Sequence, residues 1–349
     1  MNLPDTKRRL TIRDVAREAG VSTQTVSRVI NNVSYVSAET RQRVESVIED
    51  LGYRPSIIAR NLSQQRSYTL GVVVFGLKYN GPSDALNGIA EAAEKQNYML
   101  LMKVLEEDYD TNHVKNVIDS LISHQVEGII WAAPEIGESH SWLRDLLESI
   151  PVPIIFLGME PREGSPSISI NNYEGAVLAV QHLLDMGRKK IGHISGPLTW
   201  WVADERKRGW HNTLKKAGLN TSDDYCAEGN WSSESGERAF LQLYESYPDM
   251  DAIFVANDRM ALSVLREADR LGINVPEQLA VVGFDDIAES AYFRPSLTTV
   301  SQDQQIIGET AVHTIFEMIQ AAEENLPINV QPSFISPTLI VRESSGSFL

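Results

Sequence analysis

The chain is short of cysteine, of cationic residues and of long apolar runs, and each shortage excludes a class of protein. One cysteine in 349 residues, Cys226, rules out a disulfide framework. No stretch reaches the roughly 20 consecutive apolar residues that span a bilayer. The opening MNLPDTKRRLTIRD lacks the apolar run of a signal peptide. The expected compartment is therefore the cytoplasm or nucleoid, with no membrane partner. The 7 histidines form no metal-ligand cluster, and neither a Gly-rich phosphate loop nor a G-x-S-x-G elbow occurs. Cys226, placed in a loop without a nearby partner, is not a nucleophile. Binding without chemistry is expected, with no cofactor, no metal and no catalytic residue. Apolar content of 42% is ample for packed cores, and the length suggests two or three domains.

The shortage of positive charge is uneven. Overall, 31 Lys and Arg stand against 47 Asp and Glu, a formal net charge of −16. Residues 1–66 hold 11 basic and 7 acidic side chains, a net of +4, which leaves 20 basic against 40 acidic in the remainder, a net of −20. Phosphate-contacting charge is thus confined to the N-terminus. Within it, TIRDVAREAGVSTQTVSRVINN reads as a helix–turn–helix. Thr11 and Asp14 have capping-box spacing, Ile12, Val15, Ala16 and Ala19 make one stripe, and Gly20 marks a left-handed stop. Ser22 caps a second helix that turns Val26, Val29 and Ile30 inward. Thr23, Gln24, Ser27 and Arg28 are left outward near its N-terminal end, where a recognition helix meets base edges. Gln pairs with adenine and Arg with guanine in the major groove. Ser37 caps a third helix with Val44, Val47, Ile48 and Leu51 as its buried stripe, ended by Gly52 and Pro55. Residues 56–62 make two helical turns at most, too few to be stable alone. With apolar Ile57, Ile58 and Leu62 they suit folding on a partner.

From Thr69 the pattern changes to Val/Ile-rich strands alternating with amphipathic helices, the mark of parallel sheets covered on both faces. Strands LGVVVF, YMLLMKV, GIIWAA and PIIFLG alternate with helices at 82–96, 112–124 and 141–149. A second set has strands KIGHISG, AIFVAN and LAVVGFDD with helices at 174–187, around 203–217 and at 258–272. The tail adds helix 303–322 and a strand near 336–342. Two similar subdomains are expected: about 67–170 plus 301–331, and about 171–300 plus 332–343.

These pieces together resemble the LacI/GalR family of bacterial transcription regulators along essentially the whole chain. The carriers are TIRDVAREAGVSTQTVSRVINN, VSAETRQRV, GYRPSIIARNL, HLLDMGRKKIGHISGP, ERKRGW, VANDRMA, VVGFDD and PSLTTVSQD. The resemblance implies an all-α headpiece at 1–55, a hinge helix and linker at 56–66, and a periplasmic-binding-protein-like α/β core at 67–349. It implies a homodimer on palindromic operator DNA, with the hinge helix folding in the minor groove. Leu62 would be the wedge between central base pairs, and Ala59 the small residue against the groove. Thr23, Gln24 and Arg28 match base-reading positions. Thr11, Ser22, Ser27, Asn31, Tyr35 and Ser37 match backbone contacts. For the core it implies a cleft binding a small-molecule effector, a sugar, through Arg206, Asn257, Asp285 and Gln302, with Trp231 as a stacking aromatic. Asn257 is equally placed to cap the helix from 258, and Arg206 and Asp285 to form a structural ion pair.

Three departures from the family pattern bear on the effector. FGLKYNGPSDAL lacks the frequent Asn-Pro-Phe turn, Gly158 and Met159 stand where some relatives have Asp, and Val202 follows Trp200 and Trp201. One face of the pocket is thereby less polar and more aromatic, which leans to a disaccharide or a glycoside. The rivals are a corepressor-dependent regulator, answering a purine-like ligand or a phosphoprotein, and a sugar-binding protein with no DNA role. The C-terminal ESSGSFL has no leucine heptads, which favours a dimer over a tetramer.

Overall fold

Caps define the first three helices in the computed structural model. Thr11 opens α1 (Ile12–Glu18): its backbone N–H and its hydroxyl both donate to Asp14 Oδ2, at 2.9 and 2.8 Å. Gly20, at φ +64, makes the turn that a side chain would strain. Ser22 and Ser37 then accept from the third N–H of α2 (Thr23–Ile30) and of α3 (Ala38–Leu51). Val15, Ala16, Ala19, Val26, Val29, Val44 and Tyr53 form the small core where the three helices meet. Of the α3 stripe only Val44 is fully buried; Val47, Ile48 and Leu51 pack at the margin.

The structure describes residues 10–31, 35–54, 66–105, 111–133, 150–328 and 330–346, and the chain separates after Ser67 into two compact units. The expected hinge helix, with Ala59 and Leu62, and the expected helix 141–149 lie outside the described residues.

In the core the first lobe runs β1 (Thr69–Phe75), α4 (Asn80–Lys95), β2 (Met99–Leu105), α5 (Thr111–Ser123), β3 (Gly128–Ala132), β4 (Ile154–Leu157) and β5 (Ser167–Ile170). The second runs α6 (Asn172–Asp185), β6 (Ile191–Ser195), α7 (Trp201–Lys216), β7 (Cys226–Glu228), α8 (Ser233–Ser246), β8 (Ala252–Val255), α9 (Asp258–Leu271), β9 (Ala280–Asp285) and β10 (Thr298–Ser301). The chain returns to the first lobe for α10 (Gln304–Glu323) and β11 (Ser333–Ile335), then crosses again for β12 (Thr338–Ile340). Alternation along β1 shows why the apolar runs become strands. Val72 and Val74 pack under α4 and α10, while Val73 and Phe75 pack under α5. Each such side chain contributes about 1.5–3 kcal/mol by leaving water.

Both sheets have six strands in corresponding order, β2-β1-β3-β4-β5-β11 and β7-β6-β8-β9-β10-β12. All neighbours are parallel except β12, antiparallel to β10. Three sequence expectations shift. The last crossing falls at Ser336–Pro337 rather than at 331–332, because β11 pairs in parallel with β5. The strand expected near 336–342 is the short β12, and β11 before it, in the other lobe, was not expected; Pro337, having no N–H for a ladder, stands between them. Helix α7 begins at Trp201, two residues before its expected start. In each lobe the strand order reverses at the first strand, and such sheets bind ligands beyond the carboxyl ends of the strands at that switch.

Candidate functional site

On the headpiece, Thr23, Gln24 and Arg28 are exposed on α2, whose apolar residues Val26 and Val29 are buried. The other expected DNA contacts are held by local bonds. Ser22 and Ser37 are caps, the Thr11 hydroxyl serves Asp14, and half-buried Ser27 accepts from Asn31 Nδ2 at 3.3 Å. Tyr35 stands 88% exposed. The arrangement presents a polar helix N-terminus capped by the Ser22 hydroxyl, a surface suited to phosphates and base edges.

In the core the functional side chains hang from strand ends. Asp285 closes β9, Gln302 follows β10, Asn257 follows β8, Trp231 follows β7, and Trp200 lies between β6 and α7, which carries Arg206. All six line one cleft between the lobes, about 970 Å³ including its open mouth. Trp201 is half-buried and does not line it.

Arg206 is almost wholly buried at 5% exposure. Its Nε donates to Asn172 Oδ1 at 2.8 Å and one Nη to the Ala256 carbonyl. Its guanidinium lies 3.7 Å from the Phe284 ring centroid and 5.5 Å from that of Trp231. Burial lowers its pKa to about 10, so it remains a cation at neutral pH. Asp285 Oδ1 sits 3.7 Å from Arg206, too far for a hydrogen bond, and accepts from Gln302 Nε2 at 2.5 Å. Asp285 and Asp286 both have positive φ, 123 and 57, backbone strain of the kind that clusters at ligand sites. Asp286 is anchored by Arg342 at 2.7 Å. Burial pushes the Asp285 carboxyl above the usual carboxylate range, outweighing Arg206.

Asn257 does two things. Its Oδ1 caps α9 by accepting from the Met260 N–H at 2.9 Å, and its Nδ2 donates to the Trp231 carbonyl at 3.0 Å. That bond helps fix Trp231, a bulky residue at φ 71. The Trp231 ring lies over Gly196, where any Cβ would collide with it. Its indole N–H is buried with no partner among the described residues. Trp200 joins the lobes: its ring meets Trp231 at 5.9 Å on one side, and Phe75 and Tyr79 of the first lobe at 5.6 and 6.2 Å.

The structure adds Tyr79, Asn172, Arg259 and Gln304 to the lining. Arg259 Nη1 donates across to the Lys78 carbonyl at 2.8 Å, and Gln304 orients Gln302. Asn172 and Tyr79 were findable, since both stand just beyond a strand end. Of the two departures after β4, Gly158 lines the cleft while Met159 is buried in the first lobe's core. Cys226 is not in a loop; it begins β7, and burial pushes its thiol up to about 11. Among the described residues no group of three His, Cys, Asp or Glu could hold a metal, and no helix is long and apolar enough to cross a membrane.

Residues 11–56 match the model of the bacterial regulatory proteins of the lacI family. Catabolite control protein A of Priestia megaterium is 35% identical over 308 residues, which cover 88% of this chain and 91% of that protein. The chain belongs to the lacI family. Residues 180–345 of this lacI-family chain match a periplasmic binding protein-like domain. The HTH-type transcriptional repressor PurR of Mannheimia succiniciproducens is 33% identical over 96% of the chain and 98% of its own length. Among solved structures, the Lac repressor dimer bound to operator and the anti-inducer ONPF superposes with a TM-score of 0.89 at 30% identity. That match covers 97% of this chain and all of that one. The lacI-family chain is thus a DNA-binding transcription regulator with a two-lobed α/β core.

Proposed function

We propose that the protein is a cytoplasmic homodimeric repressor released from a palindromic operator when a small sugar, a disaccharide or glycoside, fills the interlobe cleft. One observation carries the effector class. Arg206, Asn257, Asp285 and Gln302 converge on the second lobe's side of a cleft whose other side is mostly apolar. Planar donors and acceptors suit paired hydroxyls, and Trp200 and Trp231 suit the apolar face of a ring. Thr23, Gln24 and Arg28 read each half-site, and the segment ending at Leu62 joins the two headpieces on DNA. Exposed Met99, Met102 and Val104 of β2 offer apolar surface for the partner subunit. Binding, without chemistry, is the activity, and by linkage operator and effector weaken each other equally.

A second reading has one observation in its favour: a purine-type corepressor, since a relative at 33% identity is named PurR. A thermal-shift panel of cellobiose, lactose and alkyl glucosides against hypoxanthine and guanine separates the two. Operator anisotropy at fixed salt follows, on a site selected from random palindromes. A sugar that raises the melting temperature and weakens operator binding supports the first reading. A nucleobase that raises it and tightens binding replaces it with the second. On the same operator, Arg28→Ala should relax specificity at one base pair by about 1–3 kcal/mol.

A further inference from the structure

The cleft lies at the carboxyl ends of the strands, and at the opposite end of the first sheet one carboxylate ties three strands together. Tyr68, Tyr98 and Glu127 stand immediately before β1, β2 and β3, which are neighbours in that sheet. Glu127 accepts at both oxygens. The Tyr68 N–H reaches Oε1 at 2.9 Å, and the Tyr98 hydroxyl reaches Oε2 at 2.5 Å. The Glu127 N–H donates to the Thr69 carbonyl at 2.9 Å, and the Met99 N–H to the Tyr68 carbonyl at 2.8 Å. The Tyr68 and Tyr98 rings meet edge-on at 5.6 Å, and Tyr98 packs on Phe316 of α10 at 4.6 Å. Tyr68 is therefore held by its N–H, its carbonyl and its ring at once.

What is held is an unfavourable conformation. Tyr68 has φ 50, the left-handed region that a bulky residue enters only when its surroundings impose it. It is also the first residue of the core unit, two places after the linker expected at 56–66. The bend sets the direction from which the chain enters β1. None of Tyr68, Tyr98 and Glu127 lines the cleft, so the effector site does not account for them.

We infer that Glu127 and Tyr98 are positioning residues for operator binding: their clasp on Tyr68 fixes the point from which each headpiece is tethered, and with it the half-site spacing that the dimer accepts. The inference rests on the reading of the protein as a homodimer on a palindrome. A released Tyr68 lengthens each tether by about 3.5 Å. Across two subunits that is about 7 Å, or roughly two base pairs of duplex. The released residue must also be ordered again whenever both headpieces bind, which lowers the effective concentration of the second headpiece at its half-site.

The test is anisotropy of the full chain at fixed salt on three duplexes. They are a palindrome selected from random sequences, the same palindrome with two base pairs inserted at its centre, and a single half-site. Wild type should prefer the parent palindrome to both others. A palindrome bound no more tightly than the half-site overturns the dimeric reading and this inference with it. Given that preference, Glu127→Ala should weaken binding to the parent palindrome about tenfold and to the inserted one much less, so the ratio between them falls. Glu127→Gln still accepts from Tyr68 and can donate to the Tyr98 hydroxyl oxygen, and should restore most of the ratio. Tyr98→Phe keeps both ring contacts and should lower it by less than Glu127→Ala does. Equal losses on the two palindromes, as lost folding or dimerisation would give, or an unchanged ratio, overturn the inference. Hydrogen exchange on DNA-free wild type applies even if a variant does not fold. The Tyr68 amide should be protected, and fast exchange there overturns the clasp.

Discussion

The two lobes of the core share a strand order and differ in what they put at its open end. The first lobe lines the cleft with Tyr79, Ala85, Ala132, Leu157, Ile170 and Ile307. The second supplies Arg206, Asn257, Arg259 and Asp285, hence the cleft's charge. Equivalent strands therefore end in unlike chemistry. The fold provides the crevice, and the residues one or two places beyond each strand decide what enters it. A mostly apolar wall facing a charged one suits an amphipathic molecule in one orientation.

The largest break in this comparison comes from the charged wall. Arg206→Ala removes the cation from between Asn172, Ala256 and Asp285 and leaves a buried acceptor set without donors. It should cost about 3–5 kcal/mol in urea unfolding. Adding Asp285→Asn to that variant should recover part of the loss, because the stranded carboxylate is then gone. Additive losses would mean that the two groups do not sense each other across 3.7 Å. The apolar wall should break more gently. Leu157→Ala, in the core under α10, should cost about 2–4 kcal/mol. Because the lost group is apolar, the loss should not depend on pH.

A third test compares corresponding central strands. The runs Leu70-Gly71-Val72 and Ile191-Gly192-His193 open β1 and β6 at the same place in the two sheets. His193 is fully buried, stacked between Trp210 and Phe254, and its Nδ1 bonds the Phe254 carbonyl. Burial lowers its pKa to about 3. The folded chain thus refuses a proton that the unfolded histidine accepts below about 6.5. That contribution is complete above the unfolded value and is lost as pH falls, by about 2 kcal/mol at pH 5. His193→Leu should flatten the acid limb of a plot of unfolding free energy against pH. An acid limb unchanged in that variant would show that His193 does not set it.

Much of this was readable from the chain, and the rest failed for physical reasons. The headpiece was legible because its caps are local: Thr11 with Asp14, Ser22 with Thr25 and Ser37 with Thr40 are each three residues apart. The long strands were legible because burial on both faces leaves continuous Val and Ile. The lobe of β11 was not, since three residues have no period and only the partner β5 decides it. The six expected cleft residues meet in one site, yet the Arg206–Asp285 separation, the strain at Trp231 and the span of Trp200 between lobes arise from distant packing. Arg259 was hidden because a polar residue opening a helix reads first as part of its first turn.

The smallest expected effect separates the two tasks of Asn257. Its Oδ1 caps α9 and its Nδ2 holds the Trp231 carbonyl, and nothing on the first lobe's wall combines a cap with a clamp in this way among the described residues. Asn257→Ser keeps a capping oxygen and drops the donor, so it should cost about 1 kcal/mol, the net worth of one hydrogen bond. Asn257→Asp is the sharper partner. Asp caps as well as Asn and suits the helix dipole, but here it sets a buried carboxylate oxygen against the Trp231 carbonyl. The Asp variant should therefore be less stable than the Ser variant, reversing the order expected of a simple cap, with the difference read from urea midpoints. If Asp proves as stable as wild type, the cap is all that Asn257 contributes, and Gly196 with the packing around it must hold Trp231 at its positive φ unaided.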